Sequence, residues 1–261
     1  MGAGYEGEPA PDPSLRRDLA RRAAAARADP TRVLLEGVHA LKHALRFGAD
    51  IELVLTPDLT RLTELLAQLA PDVVVPAGTQ ELERQEWRDL VPRELPSPAL
   101  AVARRPTGSA AEVLATAGLV VVLDRPRHLG NLGAVVRVAA AAGATGVLTV
   151  GDADPWHPTA VRAAAGLQFA VSVAATDRLP ADTGTRTIVA LDPNGTDLLG
   201  ALPSDGLLLV GTERGGLTPD LLDRADQRVR LPMRPGVSSL NLATAVAAAL
   251  YGAAANGDGR R

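Results

Sequence analysis

The chain has 261 residues with 30 acidic and 27 basic side chains, a net charge of −3, which excludes a protein that coats nucleic acid non-specifically and leaves RNA contact to local patches. Two Trp, two Tyr and two Phe are its only aromatic residues, so small aliphatic side chains must fill the core between closely approaching elements, as in a layered α/β protein. It has no cysteine, which removes disulfides, thiolate metal sites and cysteine nucleophiles.

The length suits two modest domains. His39, His43, His128 and His157 show no ligand pattern beyond the His39/His43 pair on one helix face, so no metal is expected. No apolar run reaches the roughly 18 residues that cross a bilayer, and a cytoplasmic protein without a membrane partner is expected.

Residues 1–13 are rich in Gly, Pro and acid and are expected to be disordered. Ser14 is placed to cap a helix through about Ala28, which carries Arg16, Arg17, Arg21, Arg22 and Arg27. That helix reads either as a solvated face or as an RNA contact. Residues 1–30 are therefore set apart as tail and basic helix.

From 31 to 105, apolar runs at Val33–Leu35, Ile51–Leu55, Val73–Val75 and Leu100–Val102 read as strands. Helical patterns fall near Val38–Phe47, Leu59–Leu69 and Gln80–Leu90. This predicts a small α/β domain. Arg104–Gly108, with two arginines, a proline and a glycine, reads as a linker.

Residues 106–261 form the second expected domain. Its strands are predicted at Leu119–Leu123, Val147–Val150, Val171–Ala174, Thr187–Leu191, Leu207–Val210 and Val229–Leu231. Helices are predicted near Leu132–Ala142, Thr159–Ala165, Pro219–Arg224 and Leu240–Ala254. Strands apolar throughout and separated by helices imply a parallel sheet covered on both faces, and ligands of such sheets bind beyond the carboxyl ends of the strands.

Three loops follow strands in that position. After Leu123, Asn131 is placed to cap a helix on which Arg137 lies one turn beyond Gly133, over the bare surface that glycine leaves. After Val210, glycines surround Glu213, so backbone amides can approach a ligand while the carboxylate accepts from it. The loop is neither a Walker loop nor a Gly-x-Gly-x-x-Gly dinucleotide turn, which argues against an NAD-dependent enzyme. After Leu231, Ser239 is the expected N-cap of the final helix, and Ser239 and Asn241 stand at its positive end.

Together these segments resemble the three signature motifs of the SpoU/TrmH family of RNA ribose 2′-O-methyltransferases. Asn131, Gly133 and Arg137 match the first; Gly211, Glu213, Gly216 and Leu217 the second; Pro232, Met233, Ser239, Leu240 and Asn241 the third. His157–Gly166 is similar to the family's connecting segment, although Ala163–Ala165 lacks the serine many members carry, and Leu35-Glu36-Gly37 is similar to its ribosomal-protein-like substrate-binding domain.

The resemblance implies a Rossmann-like parallel sheet with a C-terminal deep trefoil knot, preceded by that small α/β domain, and a homodimer. It implies an S-adenosyl-L-methionine-dependent methyltransferase acting on the ribose of rRNA or tRNA, or a catalytically inactive RNA-binding protein of the same fold. Cofactor contacts fall at Gly211, Leu231, Leu240, Leu191 and Met233. Arg137, Asn131, Glu213, Ser239 and Asn241 form the catalytic group. The family often gives Arg137 the role of base, but an arginine keeps its proton in nearly all protein settings. A mixed role is therefore expected, in which it holds the neighbouring phosphate and orients the hydroxyl while the proton passes to phosphate, to water or transiently to the arginine.

Overall fold

The computed structural model describes residues 13–91, 93–197, 202–212 and 215–258. Two sheets organise it. The first has four strands in the order β1-β4-β2-β3: β1 (Arg32–Glu36), β2 (Ile51–Thr56), β3 (Gln80–Glu81) and β4 (Leu100–Arg104). β4 runs antiparallel to both neighbours, while β3 pairs parallel to β2.

Alternation along these strands sends side chains to opposite faces. Leu34, Leu53, Leu55, Leu100 and Val102 meet Leu19, Ala23 and Ala26, contributed by helix α1 (Pro13–Ala25) and the turn after it, and Leu90 of α4 (Arg84–Leu90). Val33, Leu35, Val54, Ala101 and Ala103 face α2 (Val38–Arg46) and α3 (Leu59–Leu69).

The second sheet has six parallel strands in the order β10-β8-β9-β5-β6-β7. They are β5 (Leu119–Asp124), β6 (Gly146–Val150), β7 (Ser172–Thr176), β8 (Thr187–Asp197), β9 (Gly206–Val210) and β10 (Gln227–Arg230). One face, with Val121, Leu123, Val147, Leu208 and Val210, packs under α6 (Leu129–Ala141), α7 (Pro158–Ala163) and α9 (Leu242–Asp258). Val120, Val122, Leu148, Leu207 and Leu209 point the other way, to α5 (Ala110–Ala115) and α8 (Pro219–Asp223). Helices on both faces explain why the central strands β5, β6 and β9 carry no polar alternation.

The ladder between β8 and β10 is broken. Arg228 pairs with Ala190, but Val229 pairs with Thr196, so residues 191–195 leave the ladder at the carboxyl end of the sheet. A Cβ on Gly195 would lie 2.5 Å from the carbonyl of Arg228. Only glycine lets the two strands meet there.

The two units share one hydrophobic core. Leu35, Val38, Leu41 and Ala44 belong to the same buried cluster as Leu132, Val161 and Ala164. Polar contacts reinforce the seam: His43 Nδ1 donates to the Ala165 carbonyl at 2.8 Å, and Arg105 makes a bidentate pair with Asp154 at 2.8 and 3.0 Å. The expected linker is therefore pinned in place, with Arg104 inside β4 and the Arg105 N–H donating to Thr31.

Several expectations need correction. Val73–Val75 forms no strand; Val74 is 84% exposed and Pro76 follows, while the polar Gln80-Glu81 pair takes the place beside β2. Helix α1 starts at Pro13, so Ser14 lies inside it, and ends at Ala25. Helix α5 was not anticipated, although Ser109 and Glu112 form a full capping box at its start. Residues 1–12, expected to be disordered, lie outside the described residues.

Gly133 is also not bare. A Cβ there would sit 2.2 Å from the Ala160 carbonyl oxygen and 2.8 Å from Ala163 Cβ, so glycine is what lets α6 and α7 touch. Gly133→Ala is expected to cost about 1–3 kcal/mol, at roughly 2–4 °C of Tm per kcal/mol for a chain of this size. A melting curve unchanged from wild type would show that this helix contact does not limit stability.

Candidate functional site

A cavity of about 640 Å³ opens at the carboxyl ends of β8, β9 and β10. Three chain segments wall it. The stretch expelled from the β8 ladder supplies Leu191, Asp192, Pro193 and Asn194; the loop after β9 supplies Gly211, Thr212, Gly215, Gly216 and Leu217; the path from β10 to α9 supplies Leu231, Met233, Ser238, Ser239, Leu240 and Leu242.

The second wall is a closed loop. Thr212 and Gly216 exchange backbone hydrogen bonds at 3.2 and 2.9 Å, and Gly216 takes the left-handed backbone this turn needs, with φ 62°. A Cβ on Gly211 would fall 2.0 Å from Gly216 carbon, so that glycine serves the loop's own closure before any ligand. The loop is moored to the sheet by Asp124, which is 2% exposed and accepts from the Thr218 N–H at 2.6 Å.

The third wall ends at Asn241, whose Oδ1 accepts from the N–H groups of Ala243 and Thr244 at 3.0 and 3.4 Å. Its carbonyl accepts from Ala245, so Asn241 is the N-cap of α9. Ser239, the expected cap, lies two residues before it, outside the helix and on the cavity wall. The Asn241 Nδ2 donates to Asn131 Oδ1 at 3.0 Å, joining the start of α9 to the start of α6. Asn131 does not cap α6: the helix begins at Leu129 with His128 in the cap position, which leaves the asparagine side chain in the first turn to reach Asn241.

All five expected cofactor contacts, Gly211, Leu231, Leu240, Leu191 and Met233, line the cavity, and so does Ser239. Asn131 and Asn241 bond to each other beside it. Arg137 is not part of the wall. It stands exposed about 9 Å along the α6 axis from Asn131, and its charge reaches His39 of α2. Burial pushes the His39 imidazole below the ordinary histidine range, and the charges of Lys42 and Arg137 add to that. Glu213 lies outside the described residues.

Sequence reasoning missed Asp192 and Asn194. Asp192 is 7% exposed, and its Oδ1 accepts from the Asn194 N–H at 3.0 Å. The signal was available: Asp192-Pro193-Asn194-Gly195 follows an apolar strand, where ligands of parallel sheets bind. Arg228 and Arg230 of β10 also border the cavity. Among the described residues no three His, Asp or Glu side chains gather as metal ligands, and no helix is long and apolar enough to cross a membrane.

Residues 118–251 match the model of the SpoU rRNA Methylase family. An uncharacterized tRNA/rRNA methyltransferase of Mycobacterium bovis is 38% identical over 165 residues, which is 58% of this chain and 57% of that protein. The chain thus spans little more than half the length of that relative. The 23S rRNA (guanosine(2553)-2′-O)-methyltransferase RlmP of Bacillus subtilis is 29% identical over 226 residues, covering 84% of this chain and 86% of its own. An AdoMet-bound rRNA methyltransferase structure from Sinorhizobium meliloti superposes with a TM-score of 0.70 at 26% identity, covering 93% of this chain and 94% of the other.

Because Asn241 both caps α9 and holds Asn131, Asn241→Ala is expected to destabilise by about 1 kcal/mol or more, and Asn131→Ala by less, since the cap remains. Chemical denaturation of the two variants compares them. Equal losses would mean that the cap contributes nothing beyond the side-chain pair.

Proposed function

The chain belongs to the SpoU rRNA Methylase family, and on that premise we propose that it transfers a methyl group from S-adenosylmethionine to a ribose 2′-hydroxyl of RNA. The observation that carries this reading is the convergence of all three motif segments at one end of the parallel sheet: two wall the cavity, and the first is tied to it through Asn131 and Asn241.

The cavity's donor set fits S-adenosylmethionine. Its volume falls in the usual range of about 300–1,000 Å³ for small-molecule sites. Leu191, Leu217, Leu231, Met233 and Leu240 offer apolar walls for an adenine, the Asp192 carboxylate suits a hydroxyl or ammonium group, and Arg228 and Arg230 border the same space with charge suited to a carboxylate. When bound, the cofactor supplies an electrophilic methyl group on a sulfonium.

The protein's own task is alignment, which can remove several kcal/mol from a barrier. Asn131 and Asn241 fix the relative positions of α6 and α9, and Ser239 adds a hydroxyl-bearing side chain to the cavity wall. Arg137 remains a permanent cation that holds a phosphate next to the target ribose and orients its hydroxyl. Glu213 completes the group in this reading, as part of the second motif.

We further propose that residues 31–105 form the substrate-binding domain and 106–261 the methyltransferase domain, and that the protein acts in the cytoplasm as a homodimer. The trefoil knot implied by the resemblance would lie in the segment from β10 to α9. Val237, Leu240 and Tyr251 support pairing of two copies, since all three are large, apolar and exposed in this C-terminal region. Arg137 stands off the cavity of its own chain, and pairing supplies the closure that one chain lacks.

Arg137→Ala is expected to leave S-adenosylmethionine affinity unchanged while lowering single-turnover methyl transfer to bacterial ribosomal RNA or tRNA by about a hundredfold or more. Arg137→Lys should restore little, because an ammonium lacks the guanidinium fork. Labelled product must resist alkaline cleavage at the modified linkage, because the 2′-hydroxyl that attacks it is blocked. A label on a base, at an alkali-labile linkage, would overturn the ribose assignment.

A further inference from the structure

The seam between the two units contains a charge cluster that the cavity does not use. Glu36, the last residue of β1, has a side chain only 6% exposed and meets three arginines. Its Oε1 lies 3.3 Å from Arg27 Nη1, and its Oε2 lies 3.1 Å from Arg93 Nη2 and 3.3 Å from Arg162 Nε. The three cations come from the turn after α1, the loop after α4, and helix α7 of the other unit.

One carboxylate among three guanidinium groups leaves an excess of two positive charges. Among the described residues none of the three pairs with a second carboxylate. Arg162 Nε is buried and makes no hydrogen bond, because its approach to Glu36 has the distance but not the direction of one. The side chains still reach solvent: Arg93 is 62% exposed, Arg27 38% and Arg162 34%. An ion pair built for docking alone would need one arginine, and each further cation adds repulsion unless an anion meets it.

We infer that Arg27, Arg93 and Arg162, gathered by Glu36, form a seat for the sugar–phosphate backbone of RNA that spans both units. The inference rests on the reading of the protein as an RNA methyltransferase and gives that substrate a docking point away from the cavity. Guanidinium forks suit phosphodiester oxygens, and such contacts set register without reading sequence. The position also fits. Glu36 leads through Gly37 into α2, whose His39 feels the charge of Arg137, the proposed phosphate-holding arginine. Glu36 acts as a positioning residue: it holds the fan of arginines ready, so RNA does not have to order them.

The test uses the full chain and a fluorescein-labelled RNA hairpin with a single-stranded loop, titrated by anisotropy across about 50–200 mM KCl. Each lost phosphate contact is expected to make the slope of log Kd against log salt shallower by about 0.7–0.9. Arg93→Ala should show one such step with about tenfold weaker binding, and Arg27→Ala with Arg93→Ala two steps, all with unchanged S-adenosylmethionine affinity. Glu36→Gln should lower Tm but keep or tighten RNA binding, since it frees charge for phosphate. Arginine variants with lower Tm and an unchanged salt slope would overturn the seat and reduce the cluster to a docking lock. Should an arginine-to-alanine chain fail to fold, Arg93→Gln, which keeps a polar donor but removes the charge, must still show the slope change. Equal loss of binding to a poly-glutamate probe would assign the seat to an acidic protein partner, against the inference. Wild-type protein with no salt-dependent RNA binding would instead remove the functional reading on which it rests.

Discussion

The site depends on the close approach of β10 to β8 at Gly195. Because the Arg228 backbone occupies the space a Cβ would need there, the ladder can resume at Thr196 only if residues 191–195 are pushed out of it. That expulsion creates the first wall of the cavity and places the Asp192 carboxylate in it. It also sets the exit direction of β10, and so the path of residues 231–241 along the third wall. The second wall depends on its own glycines and on the buried Asp124. Backbone proximity thus shapes the site, and side-chain chemistry is added to a frame that glycines make possible.

Much of the parallel sheet was legible in the sequence. The three central strands β5, β6 and β9 are buried along almost their whole length, and each of the six strands appears within a residue or two of its expected start. The cavity residues were legible from motif resemblance, because Gly211, Leu231, Met233 and Leu240 lie in the loops after strands. Capping was less legible. Ser239 and Asn241 are both good cap residues, and Asn131 is a better one than the His128 that takes the position, so local rules do not choose between positions a few residues apart. The choice is tertiary: Ser239 is taken up by the cavity wall, and Asn131 sits in the first turn of α6, where it meets Asn241.

The seam was not legible. Glu36 and Arg162, His43 and Ala165, Arg105 and Asp154 are far apart in sequence, and no periodicity announces such pairs. The basic helix after Ser14 shows the same limit. Arg16 turns inward to Glu83 and Glu86, so part of its charge is spent inside the molecule. Val73–Val75 failed for a further reason. Strand propensity describes what fits a half-buried pleat, and no neighbouring strand offers these valines one, since β2 pairs instead with the polar Gln80 and Glu81.

The central claim is that the cavity at the carboxyl ends of β8, β9 and β10 holds S-adenosylmethionine. Amide hydrogen exchange with and without the cofactor tests it most directly. The account predicts slowed exchange in residues 191–194, 211–217 and 231–242, with little change in the first sheet. Protection confined to the first sheet or to the Arg104–Gly108 linker, or no protection at saturating cofactor, would contradict it.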